Sequence, residues 1–142
     1  MNAIVVGTDG SSGAEAAVQK VIELASGDGA PTVHVVCAYP GRSALERLGM
    51  TAKTDPVDMR GVAADLLARA ERRLAEAGFK VEKYAREGDP AQTIIEVAEE
   101  TGAELIAVGA HGNPGDRRWH IGSTATKLSH HAPASLLIVR DG

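Results

Sequence analysis
Four short apolar runs constrain what this chain can fold into. Ala3-Ile4-Val5-Val6-Gly7 and Leu105-Ile106-Ala107-Val108 contain no polar side chain. Runs of that length without alternation read as strands buried on both faces. Thr32 to Tyr39 is rich in β-branched residues, and Ser135-Leu136-Leu137-Ile138-Val139 follows Pro133; both read as strands. A weaker alternation from Phe79 to Arg86 supplies a fifth. Helical spacing fills the gaps. Ala14, Val18, Val21, Ile22 and Ala25 mark one helix, capped by Ser11 or Ser12 and stopped at Gly27-Asp28-Gly29,. Ala63, Leu67, Ala70 and Leu74 mark a second, with Gly78 past its end,. Asp89-Pro90 opens a third, with Ile94, Ile95 and Ala98 as its buried stripe, and Gly102 ends it,. A short fourth is expected from Ser123 to His131. Arg42 to about Pro56 has no clear period and reads as a mobile loop.

The resulting βαβαβαβαβ order predicts an α/β fold. It is a single domain over 1–142, a Rossmann-like five-stranded parallel sheet with four helices on its two faces. With strand order 3-2-1-4-5, the first and fourth strands meet where the order reverses. Ligands in such sheets sit there, beyond the carboxyl ends of the strands. Thr8–Ser12 and Ala110–Ile121 are the loops that would face that crevice.

Composition narrows the partners. Aromatic residues are 3% of the 142, so the core must be built from Val, Ile, Leu and Ala. A formal net charge of −4 argues against nucleic acid as an electrostatic partner,. Cys37 is the single cysteine and lies in an apolar run, which reads as a buried small hydrophobe,. No signal peptide precedes the first strand and no apolar run approaches membrane-spanning length,. The expectation is a soluble cytoplasmic protein with no membrane partner.

The most informative stretch is Val108 to Ser123, VGAHGNPGDRRWHIGS. Its loop of about a dozen residues is longer than most strand-to-helix connections, and long loops in compact domains are usually functional. Gly109 lets the chain leave the strand without a side chain, and Gly112 allows close approach of a ligand to the backbone,. Gly122 and Ser123 stand where a helix begins, so unpaired N–H groups and a partial positive charge would meet an anion there. The residues alone fit either a phosphate-wrapping loop or a surface loop with Ser123 as an ordinary N-cap.

With both loops placed, the whole chain resembles the universal stress protein family. The resemblance rests on Val6-Gly7-Thr8-Asp9-Gly10-Ser11, Val35-Val36-Cys37-Ala38, Gly88-Asp89-Pro90, Ala103 to Gly109, and His130-His131-Ala132-Pro133 to Arg140. Its most specific element is G-x2-G-x9-G-[ST], here Gly109, Gly112, Gly122 and Ser123. In that family the pattern marks members that bind ATP. The resemblance therefore implies an ATP-binding stress-response regulator. Gly109, Gly112, Gly122 and Ser123 would wrap the triphosphate, with Thr124 assisting. Asp9 would face the ribose or a bound Mg²⁺ (or Mn²⁺). Thr8 and the Ala38 backbone would meet the adenine. It also implies a homodimer paired through the fifth strand.

Other readings are set beside these. Asp9 has a plain alternative role in an Asx turn. The five histidines form no convincing metal set, and Lys127 reads as a surface residue. Arg117 and Arg118 fit either phosphate contact or a solvated surface, and Trp119 a lid, an anchor or a dimer contact. No Walker A or GxGxxG spacing occurs,. Phosphoryl transfer needs a base and a charge clamp, for which Asp9, Arg117 and Arg118 are the only candidates, so any hydrolysis is expected to be slow. A slow ATPase, a cyclic AMP binder and a nucleotide-free interaction module are the alternatives to the regulatory nucleotide binder.

Overall fold
A computed structural model describes residues 1–47, 49, 56–111 and 121–141. Five parallel strands form one sheet: β1 Ala3–Gly7, β2 Thr32–Tyr39, β3 Val81–Glu87, β4 Leu105–Gly109 and β5 Ser135–Val139. Their spatial order is β3-β2-β1-β4-β5, the order expected above. Helices α1 Ser12–Ala25, α2 Arg42–Arg47, α3 Pro56–Glu76, α4 Pro90–Thr101 and α5 Ser123–His131 connect them. The helix count differs from expectation because Arg42–Arg47 is helical rather than loop. Leu45 is its single buried anchor, and one buried position in six residues leaves no period to read. Strand β3 starts two residues later than expected. The Phe79 N–H still donates to the Leu74 carbonyl, 3.1 Å, as part of the end of α3.

The pleat divides the core in two. Ile4, Val6, Val33, Val35 and Ala107 point to one face, where Val18, Leu67 and Leu74 of α1 and α3 cover them. Val5, Val36, Ile106 and Val108 point to the other, beneath Ile94 and Val97 of α4 and Leu128 of α5. All of β1 is buried, which its place at the centre of the sheet demands. The two edges differ in chemistry. On β3, Glu82, Lys83 and Glu87 are exposed, and such charges discourage edge pairing,. On β5, Leu136, Leu137 and Ile138 are all half-buried.

Helices α1 and α4 begin on side-chain caps. The Ser11 hydroxyl accepts from the Ala14 N–H, 3.2 Å, at the start of α1. Asp89 caps α4 by accepting from the Gln92 N–H, 3.0 Å, while its other oxygen accepts from the Lys127 ammonium of α5, 2.9 Å. Lys127 is a surface residue, as its sequence context implies, and it ties two helices together. Burial pushes the Asp89 carboxyl upward, but the Gln92 N–H and Lys127 outweigh it and hold the group below its usual range. A depressed carboxyl contributes stability above its unfolded pKa of about 4, and that contribution is lost as pH falls through the folded value. Asp89→Ala should therefore cost about 1 kcal/mol at pH 7, with less difference from wild type in acid. Urea denaturation at both pH values checks this; an equal penalty at each would contradict it.

Cys37 sits at the buried end of β2. Burial, reinforced by the nearby Asp9 charge, raises its thiol to about 11. The thiolate is the reactive form, so the folded protein should resist an aromatic disulfide reagent at pH 8 and react in urea. Fast labelling without denaturant would disprove that burial.

Candidate functional site
β1 feeds α1 on one face of the sheet, whereas β4 feeds α5 on the other. The two connections part, and a crevice of about 300 Å³ opens between them at the carboxyl edge. Its floor is apolar, from Val36, Ile94 and Val108, with Ala38 and Pro90 toward the β2 side. Thr8, Asp9 and Ser11 form one wall. The backbone of Gly109 to His111 and the first turn of α5 form the other. An apolar slot beside a row of polar backbone groups suits a ligand with a flat hydrophobic part and an anionic tail.

Three helix N-termini converge on this crevice, and they are not equivalent. The caps of α1 and α4 are occupied by Ser11 and Asp89. The N-cap of α5 is Gly122, which makes no side-chain capping bond. Ser123 is thus the first helical residue and not the cap, and among the described residues no side chain caps the opening N–H groups of α5, which a ligand or water can meet,. The Gly122 N–H itself donates to the Ala110 carbonyl, 2.6 Å, and the Ala110 N–H donates to Val139, 2.8 Å. These bonds draw the two ends of the 110–122 connection together and hold α5 against the end of β4.

The opposite side of β4 carries α1. A Cβ on Gly109 would stand 2.5 Å from the Gly13 carbonyl carbon and 2.9 Å from the Ala14 nitrogen. A Cβ on Gly13 would stand 2.7 Å from the His111 carbonyl oxygen. No side chain fits at either place without displacing backbone. Gly109 is therefore a spacer that lets α1 lie on the end of β4, and its partner Gly13, which in sequence is only a departure from the larger residues the family often has there, has the matching role. Motif spacing within one loop carries no trace of a contact with a helix some hundred residues earlier.

Asp9 adopts the Asx arrangement: its Oδ1 accepts from the Ser11 N–H, 2.9 Å. That engages one oxygen and leaves the other for a ligand at the crevice wall. The Thr8 N–H donates to the Val36 carbonyl, 2.9 Å, which extends the β1–β2 ladder to the crevice rim. Among the described residues no group of three His, Cys, Asp or Glu side chains could hold a metal. The residues present therefore fit a divalent cation only if phosphate oxygens supply most of its shell, with Asp9 as the single carboxylate.

Of the residues singled out in sequence, Thr8, Asp9, Ala38, Gly109, Gly122, Ser123 and Thr124 all line this one crevice. Gly112, Arg117, Arg118 and Trp119 lie outside the described residues. Ser11 and His111 line it as members of the two loops expected to face it, and Pro90 and Ile94 line it without having been expected there. Pro90 and Ile94 read from sequence only as a helix start and a core stripe. Both enter the site because α4 packs across β1 and β2.

The universal stress protein family model matches residues 1–140. A universal stress protein of Mycobacterium tuberculosis is 30% identical over 139 residues, covering 96% of this chain and 94% of that protein. One from Bacillus subtilis is 36% identical over 75 residues, 53% of this chain and 51% of its own length. Among solved structures, a universal stress protein from Archaeoglobus fulgidus in complex with dAMP superposes with a TM-score of 0.74 at 24% identity, covering 98% of each chain. A universal stress protein in complex with cAMP superposes with a TM-score of 0.74 at 23% identity, covering 97% of this chain and 96% of that one. Sequence relationship and fold agree: this chain belongs to the universal stress protein family.

Proposed function
We propose that the crevice binds an adenine nucleotide, with ATP as the preferred form, and that occupancy makes the protein a regulatory module in a stress response. The observation that carries this reading is the uncapped N-terminus of α5 facing an apolar slot. The base lies on Val36, Ala38 and Ile94, meeting Thr8 and main-chain groups at Ala38. The phosphates lie against Gly109, Gly122, Ser123 and Thr124, with Gly112 completing the wrap. Asp9 would hold Mg²⁺ or Mn²⁺, which would offset the charge of the phosphates. The dAMP and cAMP complexes of structural relatives support an adenine site in this fold. Hydrolysis is slow or absent, since Asp9 is the only carboxylate among the described lining residues and one of its oxygens is already engaged.

Calorimetry with Mg-ATP tests the reading, and competition with cyclic AMP separates the two ligands. Gly122 has φ −63° and ψ 164°, a conformation open to any residue. Gly122→Val should therefore keep the fold, at a capping cost of about 1 kcal/mol. It should weaken ATP binding at least about tenfold, equivalent to 1.4 kcal/mol. Unchanged affinity would remove α5 from the site.

The same reading includes a homodimer through β5, supported by the half-buried apolar residues on that edge beside the charged edge at β3. Light scattering should return twice 14.7 kDa; a monomer at micromolar concentration would count against it.

A further inference from the structure
The Thr8–Gly10 turn separates two spaces. In front lies the crevice; behind, between α1 and α3, lies a cavity of about 60 Å³ lined in part by Thr8, Gly10, Val18, Leu66 and Ala70. Thr8 borders both. The turn is pinned at either end, by Thr8 N–H to Val36 and by the Ser11 cap of α1. Only Asp9 and Gly10 span the gap. Gly10 has φ +80°, the left-handed region that glycine enters without steric cost,. A residue so permissive does not hold its own conformation; its neighbours must. Within the turn the Gly10 N–H reaches the Thr8 hydroxyl at only 3.5 Å; from outside it the neighbour is Leu66 of α3, whose Cδ2 lies 2.7 Å from where a Gly10 Cβ would stand, with Cδ1 at 3.4 Å.

We propose that Leu66 is a positioning residue for the Asp9 carboxylate, acting from behind the turn and never touching the ligand. Its isobutyl group backs Gly10, which keeps the turn from receding into the cavity and holds Asp9 at the crevice wall. Truncation to Ala joins the lost side-chain volume to the existing cavity, so the turn gains room to move away from the crevice. Leu66 is only half-buried, so the helix tolerates the change. The value of this placement for nucleotide binding rests on the proposed cation role of Asp9, but the placement itself is measurable without any nucleotide.

The Ser11 amide donates to Asp9 Oδ1 and so reports the carboxylate's orientation. The Thr8 amide, bonded to Val36, is the internal control. Amide exchange by NMR on the ligand-free protein should show Ser11 accelerated about tenfold in Leu66→Ala with Thr8 unchanged. Leu66→Met, of similar volume, should restore it. No change at Ser11, or an equal change at both amides, overturns the proposal. In calorimetry, the ratio of ATP affinity with Mg²⁺ to that in chelator should fall about tenfold in Leu66→Ala. A loss equal in both conditions overturns the link to the cation. A wild-type protein that binds no ATP, with Ser11 exchange behaving as expected, sinks the nucleotide reading and leaves the positioning role of Leu66 standing.

Discussion
The crevice depends on a contact between two stretches of bare backbone. The first turn of α1 lies on the exit of β4 because neither Gly13 nor Gly109 carries a Cβ. Were either larger, the helix would ride outward by the thickness of a methyl group, taking Ser11 and the turn before it away from β4. The two walls of the crevice belong to the connections after β1 and β4, so their separation is set at this one crossing. Doubly wound sheets use a glycine for close helix–strand packing in the same way. Here the glycines come from both partners.

Around that crossing the electrostatics are distributed unequally. Each helix N-terminus in the crevice brings partial positive charge, but two of the three have already answered it with their own side chains. Asp89 is committed twice over, to Gln92 and to Lys127. Ser11 is committed to Ala14. Gly122 has no side chain to answer with, so among the described residues an anion gains most at α5. The short Gly122–Ala110 bond keeps that helix end beside β4. Asp9 places negative charge on the opposite wall, where a cation carried by an anionic ligand would be welcome and a bare anion would not.

The alternation of buried strands and amphipathic helices was legible because each element repeats its pattern over several residues. Val5 and Val6 can only be a strand covered twice, and Val18 with Val21 can only be one face of a helix. Arg42–Arg47 escaped because a helix of six residues with one anchor, Leu45, has no period. Most of the crevice lining was also legible, since Asp9, Gly109, Gly122 and Ser123 stand at loop ends that the strand order brings together. Pro90 and Ile94 were not, because their place there depends on how α4 is packed rather than on local spacing.

Sequence sufficed for the number of strands, their direction and the edge on which a ligand would sit. Those follow from periodicity and from the handedness of crossovers, which are properties of short segments and of chirality. Distance in space was another matter. That Gly13 faces Gly109, that Leu66 backs Gly10, and that Gly122 rather than Ser123 caps α5 are outcomes of packing between segments far apart along the chain. Close packing admits one solution for each such contact, and that solution exists only once the helices have settled on the sheet.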